Sequence, residues 1–335
     1  MGSCESKELA EQKKASKNID RALERVAAYT VQKLLLLGPG ESGKSTCLKQ
    51  MQILHQDGFS KEEIKEKRRI VYVNIVSFMS IILRAAEERH YFIEPDLDSA
   101  RELVHRAAAL REIEEIPPNL QLGLQKLWKD KNVLKIYETR GEYHLSDSAA
   151  YFFDNLDRIC EKGYQPSHED ILHTRVPTTG VVQMSFKAKG LNFEVYDVVA
   201  ISEYDQLLKE DDRTNRLLEA LELYDSVVNA RFFLKTGIIL FLNKKDLFAE
   251  KIKSTSLKVC FAAYKGENNY NDGVAYIKRQ FDKLDRRVLQ ADAATRGKQV
   301  YIHETCATDT SQVQVVIRSV IDTIIQENLR DTGML

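Results

Sequence analysis

Apolar and polar residues follow two rhythms along this chain, and the change between them marks out its parts. Residues 7–29 mix acidic and basic side chains around a thin stripe of Leu9, Ile19, Leu23 and Val26. That pattern predicts a charged helix, either simply solvated or serving as a partner-binding arm. The run Lys33-Leu34-Leu35-Leu36-Leu37 ends in a glycine-rich turn and predicts a buried parallel strand, followed by a helix over 45–56. From about 60 to 163 helical periodicity takes over. Helices are predicted over 62–89, 99–110, 118–128 and 149–160, with Pro95 and Pro117-Pro118 as punctuation. After Thr174 strand patterns return. Segments 181–189 and 191–197 alternate about Gly190 and predict a hairpin, while 237–242 and 299–303 read as further buried strands. Helices are predicted at 217–228, 276–288 and 311–329, the last with Val313, Ile317, Val320 and Ile324 on one face.

Strands alternating with helices imply an α/β fold with a mainly parallel sheet, into which an all-helical segment is inserted. The expected division is an N-terminal helical arm at 1–30, an α/β domain at 31–59 and 175–335, and a helical insert at 60–174. A length of 335 residues suits about two domains.

Composition narrows the function classes. The chain is 43% hydrophobic and 30% charged, a folded rather than disordered profile, and its net charge of -1 gives no electrostatic case for nucleic acid. Its five cysteines are widely spaced without a C-x-x-C pair, which argues against a disulfide framework or a structural zinc site and for a reducing compartment. The most apolar stretch, 70–83, is broken by Tyr72, Asn74, Ser77 and Ser80 and falls short of the ~20 apolar residues that span a bilayer. The charged N-terminus lacks the apolar core of a secretory signal. Met1-Gly2-Ser3-Cys4-Glu5-Ser6 fits the pattern for myristoylation at Gly2, a match that chance also produces. One acyl chain holds a membrane only marginally, so Cys4 is the candidate for a second, palmitoyl anchor.

The chemistry begins at Gly38-Pro39-Gly40-Glu41-Ser42-Gly43-Lys44-Ser45. This G-x-x-x-x-G-K-[ST] run arises by chance in a chain of this size with a probability of roughly 1%. It also lies where it must, between a predicted strand and a predicted helix. Glycines let backbone N–H groups wrap phosphates, and the helix N-terminus adds partial positive charge. Lys44 would reach the β- and γ-phosphates, and the Ser45 hydroxyl would ligate Mg²⁺. The base is chosen elsewhere. Asn243-Lys244-Lys245-Asp246 follows a predicted buried strand. There the Asp246 carboxylate can accept from N1–H and the exocyclic amine of guanine, a donor pair adenine lacks, while the Lys244 stem lies over the purine. In Thr305-Cys306-Ala307-Thr308 the small Ala307 lets a backbone N–H meet guanine O6. Arg175, in Thr174-Arg175-Val176-Pro177-Thr178-Thr179-Gly180, can neutralise charge on a γ-phosphate, and a threonine hydroxyl there can complete the Mg²⁺ shell.

Gly38–Thr46, Arg175–Gly180, Asn243–Asp246 and Thr305–Thr308, with the helical insert between them, resemble the heterotrimeric G-protein α subunits. The likeness extends to Lys49-Gln50-Met51-x-Ile53-Leu54-His55 and to Asn328-Leu329-x-Asp331-x-Gly333. It implies a Ras-like P-loop GTPase fold, GTP and GDP as ligands, and Mg²⁺ held by Ser45 and Thr178. It makes Arg175 the catalytic arginine supplied in cis. It assigns nucleotide contacts to Gly38, Glu41, Ser42, Gly43, Lys44, Ser45, Thr46, Asp147, Ser148, Leu172, Thr174, Arg175, Thr178, Asp197, Asn243, Lys244, Asp246 and Ala307. The implied partners are a βγ dimer, a seven-helix receptor engaged by the C-terminal helix, an effector enzyme or channel, and the cytoplasmic face of the plasma membrane through N-terminal lipids. The C-terminus is closest to the inhibitory class, with Thr332 where that class carries cysteine.

One segment departs from the family. Its pattern D-V-G-G-Q, a basic switch helix containing Trp, and a further strand are missing. Instead Tyr196-Asp197-Val198 runs directly into Val199-Ala200-Ile201-Ser202-Glu203, and the only tryptophan is Trp128. About two dozen residues are absent by comparison with the family pattern. No glutamine is left to orient water and no glycine follows Asp197, so hydrolysis should be severely impaired. A contact surface for the βγ dimer goes with the same helix. The lost strand would be internal, beside the phosphate-loop strand, and its removal would expose surface whose cost exceeds the ~5–15 kcal/mol that keeps a domain folded, unless Val198–Ile201 partly refills the gap, which four residues tethered to the preceding strand cannot easily do.

Overall fold

A computed structural model describes residues 31–55, 58–110, 112–176, 182–187, 194–208, 211–231, 233, 238–286 and 300–319. Gly2, Cys4, the N-terminal arm, Thr178 and the end of the C-terminal helix lie outside these residues.

Five strands form one sheet in the order β2-β1-β3-β4-β5. These are β1 (Val31–Leu37), β2 (Val182–Lys187), β3 (Glu194–Ala200), β4 (Ile238–Asn243) and β5 (Val300–Glu304). β1, β3, β4 and β5 run parallel, and β2 pairs antiparallel with β1 at the edge. The residues of β4 are all buried, as expected of a central strand covered on both faces.

Two expectations from sequence are corrected here. Segments 181–189 and 191–197 do not form a hairpin, because β1 lies between β2 and β3. Nor does the sheet contain a gap. Leu34–Leu37 of β1 pairs with Glu194–Asp197, and Val195–Ala200 pairs with Ile238–Asn243 on the other side. A single strand that begins with the sequence before the junction and ends with the sequence after it therefore occupies the internal slot. The vacated position falls at the edge, where β2 closes directly on β1. Among the described residues the ladder from β2 through β5 is continuous, so the expected loss of internal pairing does not arise. Beyond Asp197 the chain is core: Val198, Val199, Ala200 and Ile201 are all buried.

The helical layer is built around α2 (Lys61–Glu88), which follows α1 (Lys44–His55). Ser60 caps α2 through a reciprocal box with Glu63. By length and composition α2 is apolar enough to cross a membrane, contrary to the shorter stretch read from sequence. Its apolar residues are instead spent on a protein core: Val71, Ile75, Val76, Met79, Ile82 and Leu83 pack with Val104, Leu124, Val133, Ile136, Phe152 and Ile159. Each such side chain contributes about 1.5–3 kcal/mol by leaving water. The partners come from α3 (Asp98–Ala108), α4 (Pro118–Lys129), α5 (Lys131–Glu138), α6 (Ala149–Asp154) and α7 (Leu156–Ile159). The helix predicted over 149–160 is interrupted at Asn155, whose side chain donates to the Tyr151 carbonyl at 2.8 Å. Next, α8 (His168–His173) returns the chain to the sheet. On the far side α9 (Arg216–Val228), α10 (Lys245–Lys251) and α11 (Tyr270–Leu284) cover the sheet, with Tyr224, Phe248, Ile277 and Phe281 in a second core. A final helix, α12, occupies 310–319.

Candidate functional site

A cavity of about 480 Å³ opens between the sheet's C-terminal edge and the helical layer, the usual position for a ligand in an open α/β sheet. The phosphate-loop residues Gly40, Glu41, Gly43, Lys44, Ser45 and Thr46 line one end. Asn243, Lys244, Asp246, Cys306, Ala307 and Thr308 line another, and Asp147, Ser148, Leu172, Thr174 and Arg175 form the facing wall. Segments far apart in sequence are thus brought around one space. Ser42 is fully buried behind the loop, and Gly38 accepts from Lys44 Nζ at 2.8 Å through its carbonyl. Asp197 sits in β3 opposite Leu37, at the end of the phosphate-loop strand, but its side chain lies outside the described set.

The loop's local structure follows from its residues. Gly43 has φ +104°, and a Cβ there would overlap Asn243 Nδ2, so only glycine fits. Asn243 is buried and ties three segments together. It donates to the Ser42 carbonyl at 2.9 Å, and its Oδ1 accepts from Ala307 N–H at 2.9 Å and Thr305 Oγ1 at 3.2 Å. Gln50 of α1 donates to the Ala307 carbonyl at 2.9 Å, fixing the same loop from behind. Asn243 therefore ties the pocket together, whereas Asp246 is exposed in the first turn of α10 on the cavity wall.

A chain of alternating charges crosses the cleft. Lys244, in the left-handed conformation at φ 59°, donates to Asp147 at 2.8 Å and Glu203 at 2.5 Å. Glu203 also pairs with Arg216 at 3.1 Å, Arg216 with Glu41 at 3.2 Å, and Glu41 with Arg175. Burial alone would lower the Lys244 pKa, but the two carboxylates outweigh it and keep the ammonium charged. Burial likewise opposes ionisation of Asp147, and Lys244 more than offsets it. Glu203 and Arg216 are nearly buried and each keeps a second partner, so removing one weakens the network without stranding the other: Glu203 retains Lys244 and Arg216 retains Glu41. Neither Glu203 nor Arg216 was legible from sequence, because nothing local distinguishes them from surface charges.

The wall carrying Arg175 is held from two directions. Asn74 of α2 donates through Nδ2 to the Arg175 carbonyl at 3.0 Å and accepts the Arg175 N–H at 2.7 Å. Lys49 of α1 donates to the Thr174 carbonyl at 2.5 Å and hydroxyl at 2.9 Å. Burial, assisted by the charge of Lys67, pushes the Lys49 pKa down to about 7. The paired bonds from Asn74 fix the Arg175 backbone, so Asn74→Ala should loosen that segment by ~1–1.5 kcal/mol. Trypsin should then cleave the Arg175-Val176 bond roughly tenfold faster in the otherwise folded protein. Unchanged cleavage kinetics would show that Asn74 does not hold Arg175.

A family model described as G-protein alpha subunit matches residues 13–199 and 198–324. The two matched stretches meet at Val198-Val199, the junction inside β3. The guanine nucleotide-binding protein alpha-17 subunits of Caenorhabditis briggsae and Caenorhabditis elegans are 46% and 45% identical, over alignments of 366 residues spanning 100% of each chain. The alpha-3 subunit of Caenorhabditis elegans is 41% identical over 361 residues, again across 100% of both chains. These alignments are longer than the chain's own 335 residues, so they set residues of the relatives opposite none of this chain's.

Proposed function

Because the chain belongs to the G-protein α subunit family, whose members bind guanine nucleotides and are generally GTPases, we propose that it captures GTP and GDP in this cavity and turns GTP over very slowly. The observation that carries the binding half is the convergence of Lys44, Ser45, Asp246 and Ala307 on one cavity from three separate segments. Lys44 and the phosphate-loop N–H groups would hold the phosphates, and Asp246 would select guanine. Ser45 lies on the cavity wall and carries a hydroxyl oxygen, the donor type that suits a hard cation such as Mg²⁺; Thr178, the other ligand proposed, lies outside the described residues. Mg²⁺ would offset the phosphate charge when bound.

The slow-turnover half rests on the chain after Asp197, where the family's water-orienting glutamine gives way to buried apolar residues. A second reading, a fully competent GTPase, is favoured by one observation: Arg175 lines the cavity beside the phosphate loop. We further infer a wider role as a membrane-associated transducer on the cytoplasmic face, anchored through Gly2 and Cys4 and facing a seven-helix receptor with its C-terminal helix. It would touch a βγ dimer through the N-terminal arm with a reduced contact, and act on an effector enzyme or channel.

Binding is tested with fluorescent GTPγS. Saturable binding to the full chain, competed by GTP and GDP but not by ATP, is expected. Equal competition by ATP would reassign the protein to the adenine nucleotide-binding P-loop proteins.

A further inference from the structure

We propose that Glu203 is a positioning residue for guanine recognition, fixing Lys244 and the segment that carries Asp246 against the phosphate loop; this deepens the nucleotide-binding reading above and rests on it. Glu203 belongs to neither of the motifs that locate the phosphates and the base, and it is not among the described residues that line the cavity. It lies just past the end of β3, on the stretch that the junction joins to Asp197.

The carboxylate is divided between the two halves of the site. Its Oε1 accepts from Lys244 Nζ at 2.5 Å, and its Oε2 accepts from Arg216 Nη1 at 3.1 Å. That same Nη1 donates to Glu41 of the phosphate loop at 3.2 Å, while Arg216 Nε donates to the Leu207 carbonyl at 3.2 Å. The Glu203 and Arg216 side chains are only 4% and 7% exposed, so water scarcely competes for these bonds. Charge-assisted bonds in such a setting fix geometry as well as charge. The oxygen offered to Lys244 therefore has one place, set from the phosphate-loop side.

The next two residues grip the same segment. Tyr204 is buried, meets Phe248 of α10 edge-on with ring centroids 5.6 Å apart, and donates its hydroxyl to the Thr255 carbonyl at 2.6 Å. Asp205 accepts from Lys251 at the end of α10 at 2.7 Å. Asn215 braces the stretch by donating to the Tyr204 carbonyl at 2.7 Å. Three consecutive side chains thus hold residues 244–255, and Asp246 stands in the first turn of the helix they hold. Lys244 needs such a hold. Its φ of 59° is a left-handed conformation that costs a residue with a Cβ. Its carbonyl also accepts from Phe248 N–H at 3.0 Å, so a rotation at Lys244 displaces the first turn and Asp246 with it. Asp147 holds the Lys244 head at 2.8 Å from the facing wall; Glu203 holds it from the sheet.

The test compares GDP with IDP, which lacks the exocyclic amine assigned to Asp246 and is otherwise the same ligand. Both compete with a fluorescent GDP for the full wild-type chain and for Glu203→Gln, and the wild-type chain should prefer GDP. In the variant Lys244 keeps Asp147 and Arg216 keeps Glu41, so the fold should persist. Its preference for GDP over IDP should fall roughly three- to tenfold, because a displaced reader loses the amine while the phosphates are still held. A merely structural role would lower the melting temperature and leave that ratio alone, so an unchanged ratio overturns the role of Glu203. Should Glu203→Gln not fold, Glu203→Asp takes its place, keeping the charge but drawing it back by one methylene. A preference lowered roughly two- to threefold there supports the role, and the wild-type preference overturns it. Absence of GDP binding to the wild-type chain overturns the nucleotide reading itself, and equal binding of GDP and IDP overturns the guanine reading of Asp246; the Glu203 proposal falls with either.

Discussion

GTP loaded onto the full-length chain should survive a single-turnover assay, with a first-order loss at least ~10²-fold slower than in a family member that positions its water. A displacement of about 1 Å in a reacting group already costs on that order. Here the positioning group is absent rather than displaced. In the family pattern glycine and glutamine follow the aspartate that corresponds to Asp197. In this chain the next four residues, Val198, Val199, Ala200 and Ile201, are all buried, Val199 and Ile201 in one core and Val198 in another. The polar residues beyond them offer no substitute. Ser202 and Glu203 are buried, and Glu203 is committed to Lys244 and Arg216. Arg175 remains against the phosphate loop and can still stabilise charge on the γ-phosphate, a contribution of ~10³–10⁵ where the rest of the machinery is present. Acting on an unoriented nucleophile it should deliver far less. Arg175→Ala should accordingly change residual turnover by under about tenfold, well short of that range. Radiolabelled phosphate release from a preloaded complex measures both. A family-like rate in the wild-type chain, or a thousandfold loss in the variant, would show that water is oriented by a route outside the residues named here.

The same junction shows what sequence can and cannot specify. Periodicity identifies 191–197 as a strand correctly in kind, because alternation depends only on neighbours. It does not assign the strand a slot. Which neighbour Glu194–Ala200 finds depends on the exposed ladders of β1 and β4, both long-range features. A seven-residue strand carrying Val198 and Val199 into the core satisfies both partners at once, so the sheet contracts at its edge instead of opening in its middle. The motif residues behave differently. Gly43, Lys44, Asn243 and Asp246 could be picked out because each stands in a short local motif, and all four line the same cavity. The groups that position them could not. Asn74 meets Arg175 across 101 residues of sequence, and Lys49 meets Thr174 across 125. At such separations a lone asparagine or lysine carries no local signature.

Base selectivity is where one side chain should have the largest effect on binding. Asp246→Asn is expected to weaken GTPγS binding by roughly 10²-fold and to invert the preference between guanine and xanthine nucleotides. The Asp246 carboxylate presents two acceptor oxygens to two guanine donors, N1–H and the exocyclic amine. An amide keeps one acceptor and sets its NH₂ against a donor, so a charge-assisted bond is replaced by a repulsive pair, worth ~2–3 kcal/mol. Xanthine carries a carbonyl where guanine carries the amine, and the same NH₂ then has an acceptor. Asn243→Ala makes the contrasting control. Asn243 joins Ser42, Thr305 and Ala307 into the pocket without being left to read the base, so its loss should weaken both nucleotides alike. The two substitutions thus separate a residue that reads the ligand from one that builds the space. Competition of fluorescent GTPγS by GTP and XTP across the three proteins measures the difference directly. If Asp246→Asn kept its preference for guanine, selection would have to reside in the backbone of the loop at Ala307, and the division of labour between Asn243 and Asp246 would be wrong.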